Sequence, residues 1–554
     1  MRSTSLHIAA LLAACAWPAI ASAQDRPQGD DGGARRHRAG AAEITPYIEA
    51  DQVLSAELQP GSDVVTYTAI AAGVDATITG RNSAASASLR YERRFGEGKN
   101  TQDSDTVSGV ARASIAVVPH AVTLEAGGLA ERTHVDGTGA ASLGAVFGNE
   151  LNSSQIYAGY IGPSIHTMSG PVELEGHYRF GYTRVESPDA VTAPSAAQPT
   201  DIFDESTIHA AYLRAGVKPN TIAPIGVGVG GGWTEENVSN LDQRIRDRYV
   251  RGDVTVPVEP TLALVGGVGY EDVEVSSRDA RRDAAGNPVI DSHGRYVTDE
   301  AGPRRIAYQT EGLIWDAGVM WRPSRRTSLE AYIGRRYGSL TGWGTLTYAP
   351  DTRTNISVAV YDNLSSFGGT VIDTLSGLPS QFDAFRDPIT GEIGGCVAQT
   401  GGQPASGSCI AGALASVRSA VFRSQGVAAS YGLEVGRTQF GVGVGYDRRK
   451  FVAAPGTVLA TANGVVDETV WLAGYATQRI DNRSTLSANA YANWFQSGFD
   501  LNNDTIGYTA SLSYNHTFVR GLSGTAAVGL DGITRQSLPD FATASALLGL
   551  RYSF

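Results

Sequence analysis

From about residue 43 to the C-terminus the chain is built of short segments in which apolar and polar side chains alternate, separated by turn residues. Successive side chains of a strand point to opposite faces, so a period of two marks a strand with two unlike sides. In the segment 172–183, Val172, Leu174, Gly176, Tyr178, Phe180 and Tyr182 take one face, and Glu173, Glu175, His177, Arg179, Gly181 and Thr183 take the other. The segment 506–518 behaves alike: Ile506, Tyr508, Ala510, Leu512, Tyr514 and Phe518 oppose Thr505, Thr509, Ser511, Ser513, Asn515 and Thr517. The same parity runs through 85–95, 328–337, 440–446, 486–494 and 542–554.

The connections alternate too. Short ones sit at Val118-Pro119-His120, Lys218-Pro219-Asn220, Gly436-Arg437-Thr438, Asp481-Asn482 and Arg520-Gly521, and long polar ones fall between them at 96–106, 134–154, 186–205, 235–246, 276–305 and 362–424. One short-turn side and one long-loop side is the organisation of an up-and-down transmembrane barrel, whereas a soluble sandwich has no reason to segregate its loops. Aromatics on the apolar faces sort to the strand ends. Tyr91, Phe95, Trp233, Tyr270, Tyr337, Tyr446 and Trp494 fall toward the long loops, and Trp321, Phe440, Phe518, Tyr552 and Phe554 toward the short turns. Two such belts around an apolar band suit the two lipid–water interfaces. The expected fold is therefore all-β: a transmembrane antiparallel β-barrel of roughly 22 strands, within a range of about 18–24, with short periplasmic turns and long extracellular loops.

Beyond the N-terminus no run of eighteen or more apolar residues occurs, so no spanning helix is expected. The first residues read as a secretory signal: Arg2 is the basic n-region, residues 8–20 the apolar core, and Ala21-Ser22-Ala23 a cleavage site. The competing reading takes Leu12-Ala13-Ala14-Cys15 as a lipobox. It would lipidate Cys15, but would leave the apolar stretch 17–20 on the mature chain. The expected domains are a signal peptide at 1–23, a disordered periplasmic lead-in at 24–41 carrying Arg35, Arg36 and Arg38, and the barrel at 42–554. That lead-in is too short and polar for a plug domain. Past the signal only Cys396 and Cys409 remain, and in an oxidising compartment two nearby cysteines predict a disulfide closing a short loop.

A net charge of −12 argues against a nucleic-acid partner. The runs 226–232 and 441–445 alternate Gly with Val, which reads as small residues on a lumen face rather than a dinucleotide loop. No zinc-protease, C-x-x-C or nucleophile-elbow motif is present, so neither an enzyme nor a cofactor or metal site is expected. Chemistry is expected on the lumen face, where mixed charges across a water-filled pore select solutes. The lumen and constriction candidates are Arg90, Glu92, Arg94, Arg112, Glu173, Glu175, His177, Arg179, Glu330, Arg336, Asp447 and Arg449. The longest connection, 362–424, holds both cysteines with Asp383, Arg386, Asp387 and Thr390, and its small-residue run 411–420 suggests a short helix. That connection either folds inward as a constriction or stands outside as a receptor surface.

Three stretches carry a resemblance: Ile44-Thr45-Pro46-Tyr47-Ile48-Glu49-Ala50-Asp51-Gln52-Val53, Pro303-Arg304-Arg305-Ile306-Ala307-Tyr308, and Trp321-Arg322-Pro323-Ser324 continuing to Glu330. With them the chain resembles a family of uncharacterised, porin-like outer-membrane β-barrel proteins. Similar sequences sometimes bear the label of a small preprotein translocase subunit, but this chain lacks that subunit's spanning helix. The terminal Tyr552-Ser553-Phe554 resembles the assembly signal of such barrels, which implies the barrel-assembly machinery and outer-membrane lipid as partners. The expected function is a porin-like diffusion channel for small solutes. The alternative is a surface-binding or structural barrel with an occluded lumen.

Overall fold

The computed structural model describes residues 41–97, 103–135, 141–142, 153–186, 202–399, 407–499, 504–536 and 539–554. The expected signal peptide, the lipobox and all but the last residue of the expected lead-in lie outside the described residues. Twenty-two antiparallel strands form one ring, in agreement with the expected count and fold class. The ring closes where the first strand, Ala41–Gln59, pairs with the last, Phe541–Ser553, from Tyr47 opposite Ser553 to Gln59 opposite Ala542. The Phe554 amide then donates to the Pro46 carbonyl. Closure leaves no free edge, so the ring satisfies its own backbone donors and acceptors without water.

The outer face follows from strand parity. Leu313, Leu548 and Val268 are 77%, 70% and 68% exposed, far beyond what a water-soluble sheet leaves bare. Tyr91, Phe95, Tyr270, Tyr446 and Trp494 ring the band at the loop end, and Trp321, Phe440, Phe518 and Tyr552 at the short-turn end, all exposed on the outer face. Tyr337 departs from this expectation. It and Gly338 form a tight turn at the loop end with φ of 52° and 67°. The turn swings the ring inward, where it is buried and its hydroxyl donates to Asp247 at 3.1 Å.

The expected long connection at 235–246 is also corrected. The strands Gly226–Val238 and Gln243–Glu259 pair to their ends, Val238 opposite Gln243, leaving only residues 239–242 between them. Their charged ends read as a loop because the strands rise past the apolar band, where both faces tolerate charge; Glu235 and Arg246 sit directly across the ladder.

Inside the ring lie the described residues, 366–399 and 407–421, of the longest connection, between the strands Thr354–Ser365 and Phe422–Val435. It contains a helix α1, Phe367–Gly377, and a three-stranded sheet of Phe382–Arg386, Ile393–Gln399 and Gly407–Cys409. The expected helix at 411–420 is absent. Residues 411–414 form turns, and Arg418 bridges in extended form to Ile202. The helix forms at Phe367 because Ser366 caps it, its hydroxyl accepting from the Gly368 amide, and because Phe367, Val371, Ile372 and Leu375 make one apolar stripe.

Candidate functional site

A ring of 22 strands encloses a bore on the order of 40 Å across between backbones, far too wide for wall side chains to fill. Residues 366–421, the insert, occupy one sector of it. The insert is held by an apolar core and by polar anchors on many strands. Phe367, Ile372, Leu375, Val397 and Leu414 bury against wall residues such as Val110, Ile156, Ile208 and Trp471. Phe385 stacks on Tyr475 with ring centroids 3.8 Å apart.

The anchors satisfy the backbone groups that a non-helical segment carries into the lumen. At the start of α1, Glu236 of the wall accepts from the Ser366 amide at 3.1 Å and the Gly369 amide at 2.9 Å, a carboxylate at a helix N-terminus. This approach needs the glycines: a Cβ at Gly369 would meet Glu236 Oε2 at 2.6 Å, and one at Gly368 would meet Ser206 Oγ at 2.1 Å. Arg386 reaches from the inner sheet to the wall. It donates to Ser88 Oγ at 3.1 Å, Ser88 O at 2.9 Å, Ser108 Oγ at 2.6 Å and Ser108 O at 3.2 Å. Glu131 accepts from the Ile393 amide at 3.1 Å, and Gln243 bonds both the Ser419 carbonyl and the Val421 amide. Cys396 and Cys409, opposite each other on the inner strands, are joined in a disulfide within the insert.

The expected lumen residues divide between two environments. Three hold the insert directly, and a fourth supports one of them. Arg94 donates to the Thr390 carbonyl at 2.9 Å, Arg179 pairs with Asp373 of α1 at 3.1 Å, and Arg449 donates to the carbonyls of Ser416 and Gly412 at 3.2 Å each. Asp447 braces Arg449 at 2.6 Å and accepts from Ser424. Arg90 and Glu92 lie under the insert in a network with Glu49, Asp51 and Arg94. Arg112 pairs with Glu125 and donates to the Tyr160 hydroxyl. His177 packs against Tyr212 with ring centroids 5.8 Å apart.

The other sector, walled by strands from Ser153–Ser169 to Thr354–Ser365, holds an open cavity of about 1130 Å³. Glu173, Glu175, Glu330 and Arg336 line it. Each is paired: Glu173 with Lys218 at 2.9 Å, Glu175 with Arg214 at 3.5 Å, Glu330 with Arg322 at 2.5 Å, and Arg336 with Asp247 at 2.8 Å. Toward the loop end this sector is crossed by two apolar clusters. One joins Ile245, Val275 and Val421, and the other joins Leu241, Phe422, Phe451 and Leu459.

Sequence reasoning missed Glu131, Glu236, Gln243 and Arg386 as anchors, and Arg214, Arg251, Asp253 and Asp316 as a connected charge chain in the cavity. Arg251 makes a bidentate pair with Asp316 at 2.6 Å for each bond and reaches Asp253 at 3.1 Å, while Arg214 grips Asp253 at 3.0 and 2.7 Å. Parity alone places Arg251 and Asp253 on one face, so that half of the signal was present in the sequence. The glycine runs behave as expected of a lumen face. The Arg214 side chain lies over Gly228, and Trp471 lies over Gly445.

No protein-family model matches the chain, and no curated protein matches it. Among solved structures it is similar to the ferric-catecholate import receptor Fiu of E. coli, at 10% identity over 94% of this chain and 82% of that one, with a TM-score of 0.44. It is also similar to the FrpB iron transporter of Neisseria meningitidis, at 10% identity over 92% and 81%, with a TM-score of 0.41. A variant of the ferric enterobactin receptor PfeA of Pseudomonas aeruginosa gives 11% identity over 93% and 81%, with a TM-score of 0.37.

Proposed function

We propose that this chain is an outer-membrane β-barrel that passes small polar solutes through a lumen gated by its own insert, residues 366–421. The outward apolar band between aromatic belts supports the lipid setting, and the expected signal sequence supports export to it. The terminal Phe554, 72% exposed at the closing seam, supports delivery of the last strand to the barrel-assembly machinery. The observation that carries the gating reading is the division of one bore into an apolar-packed insert and a polar cavity of about 1130 Å³ beside it. Ser365 and Phe422 pair across the hairpin that carries the insert, so the insert can move without unpairing the wall. A freely open porin is the less favoured form of the reading, because apolar clusters cross the cavity sector toward the loop end.

The rival is a structural barrel whose lumen stays shut. The pairing of the lumen carboxylates and the apolar insert core favour it. Proteoliposome swelling separates the two. With intact protein, slow entry of small neutral solutes is expected, and entry is faster once residues 366–421 are replaced by a two-residue turn. The replacement is feasible because Ser365 and Phe422 already pair directly across the hairpin. Liposomes that stay impermeable with both proteins, each shown to be folded, would decide for the structural barrel.

A further inference from the structure

The lumen cavity combines two properties that together select a ligand class. The first is charge neutralised in place. Six carboxylates line it, and every one is bonded to a cation: Glu173 to Lys218, Glu175 and Asp253 to Arg214, Asp316 to Arg251, Glu330 to Arg322, and Asp362 to Arg423. An ionic solute would have to break such pairs, leaving a partner uncompensated in a partly buried site. A neutral solute can use the remaining edges of the same groups.

The second property is a set of partly exposed aromatic rings. Tyr212, Tyr249, Tyr332, Trp343 and Tyr361, from five strands, line the cavity, and none of them is fully buried. Tyr332 and Trp343 sit opposite each other in register and stack with centroids 5.4 Å apart and planes 10° from parallel. The wall makes room for the rings with glycine. A Cβ at Gly318 would meet Tyr332 at 2.2 Å, and one at Gly232 would meet Tyr249 at 2.4 Å. The Arg336 guanidinium covers Tyr249, 4.4 Å from its ring centroid, which leaves the Tyr332–Trp343 stack as the aromatic platform of the cavity. Apolar ring faces among fixed hydrogen-bonding edges complement a molecule with C–H faces and a rim of hydroxyls.

We infer that this cavity is a binding site for a neutral, ring-shaped polyhydroxylated solute, a mono- or disaccharide, held between the Tyr332–Trp343 stack and the Arg214–Asp253–Arg251–Asp316 chain. The inference rests on the reading of the barrel as a solute passage and adds its substrate class. The volume is ample, since pockets for small organic ligands run about 300–1,000 Å³.

The test is isothermal titration calorimetry of the full-length protein, folded in micelles of a detergent without a sugar headgroup. Maltose is the probe, with succinate and lysine as charged comparisons. Saturable maltose binding is expected, with no saturable binding of succinate or lysine. Trp343→Ala is expected to weaken it at least tenfold, Trp343→Phe to weaken it less, and Tyr348→Ala, on the outer face, to leave it unchanged. If Trp343→Ala does not fold, Trp343→Phe and Tyr332→Leu carry the comparison. Absence of saturable maltose binding by the folded wild type, equal binding by Trp343→Ala, or tighter binding of succinate or lysine would overturn the inference. Maltose binding without solute entry into liposomes would uphold the site and remove the passage reading. Solute entry without maltose binding would do the reverse.

Discussion

Single side chains decide how closely the insert can approach the wall. A Cβ at Gly443 would sit 2.5 Å from Cys409 Sγ and 3.2 Å from the Trp471 ring. Gly443→Val therefore cannot coexist with the docked insert, and overpacking of this kind costs about 1–3 kcal/mol. The expected result is faster tryptic cleavage within residues 366–421 while the ring stays resistant; unchanged cleavage would show that the contact is not close. Glu392 makes docking depend on pH. Burial pushes its carboxyl up to about 7, with Asp387 and Glu92 adding to the rise and Arg132 and Arg94 opposing it; Glu131 faces it as well. Undocked, such a carboxyl loses its proton near its ordinary value of 4.5. Docked, it keeps the proton until about 7, so the docked state binds more protons between these values and loses stability as pH rises through that window. The insert should be better protected at pH 5 than at pH 8, and Glu392→Gln should flatten the difference. Stronger protection of the wild type at pH 8 would contradict the assignment.

At the scale of elements, strands and insert differ in what their sequence reveals. The strand at Val172–Glu186 was legible because parity is local: each residue's face follows from its neighbour's. The same logic placed Arg179 and Glu175 inside without any knowledge of their partners. The insert was legible only as a long connection with two cysteines. Its Gly- and Ser-rich composition reads as surface loop, yet it is buried because its partners, Ser88, Ser108, Glu131, Glu236 and Gln243, lie on strands more than a hundred residues away. Only the Ser366 cap and the spacing of Phe367, Val371 and Leu375 marked α1 in the sequence. The disulfide spans 13 residues, and closing a loop of that length restricts the free chain by about 3 kcal/mol in the chain-entropy account. Cys396→Ser with Cys409→Ser should raise amide exchange across Ile393–Gln399 without altering exchange in the ring strands. Equal exchange in both proteins would mean the wall alone orders the inner sheet.

For the whole molecule the controlling quantity is the width of the ring. Twenty-two strands leave a bore that must be either filled or open, and here one chain supplies both the wall and the filling. The wall is continuous without the insert, because the hairpin that carries it pairs up to Ser365 and Phe422. The filling of the insert's sector is thus a property of residues 366–421 rather than of the ring. The most direct measurement is single-channel conductance in a planar bilayer, comparing the intact protein with the form in which a two-residue turn replaces those residues. The intact protein should show long closed periods with small or rare steps, and the shortened one large, steady, salt-dependent steps. Large steady steps from the intact protein, or silence from the folded shortened form, would contradict a lumen closed by its own insert.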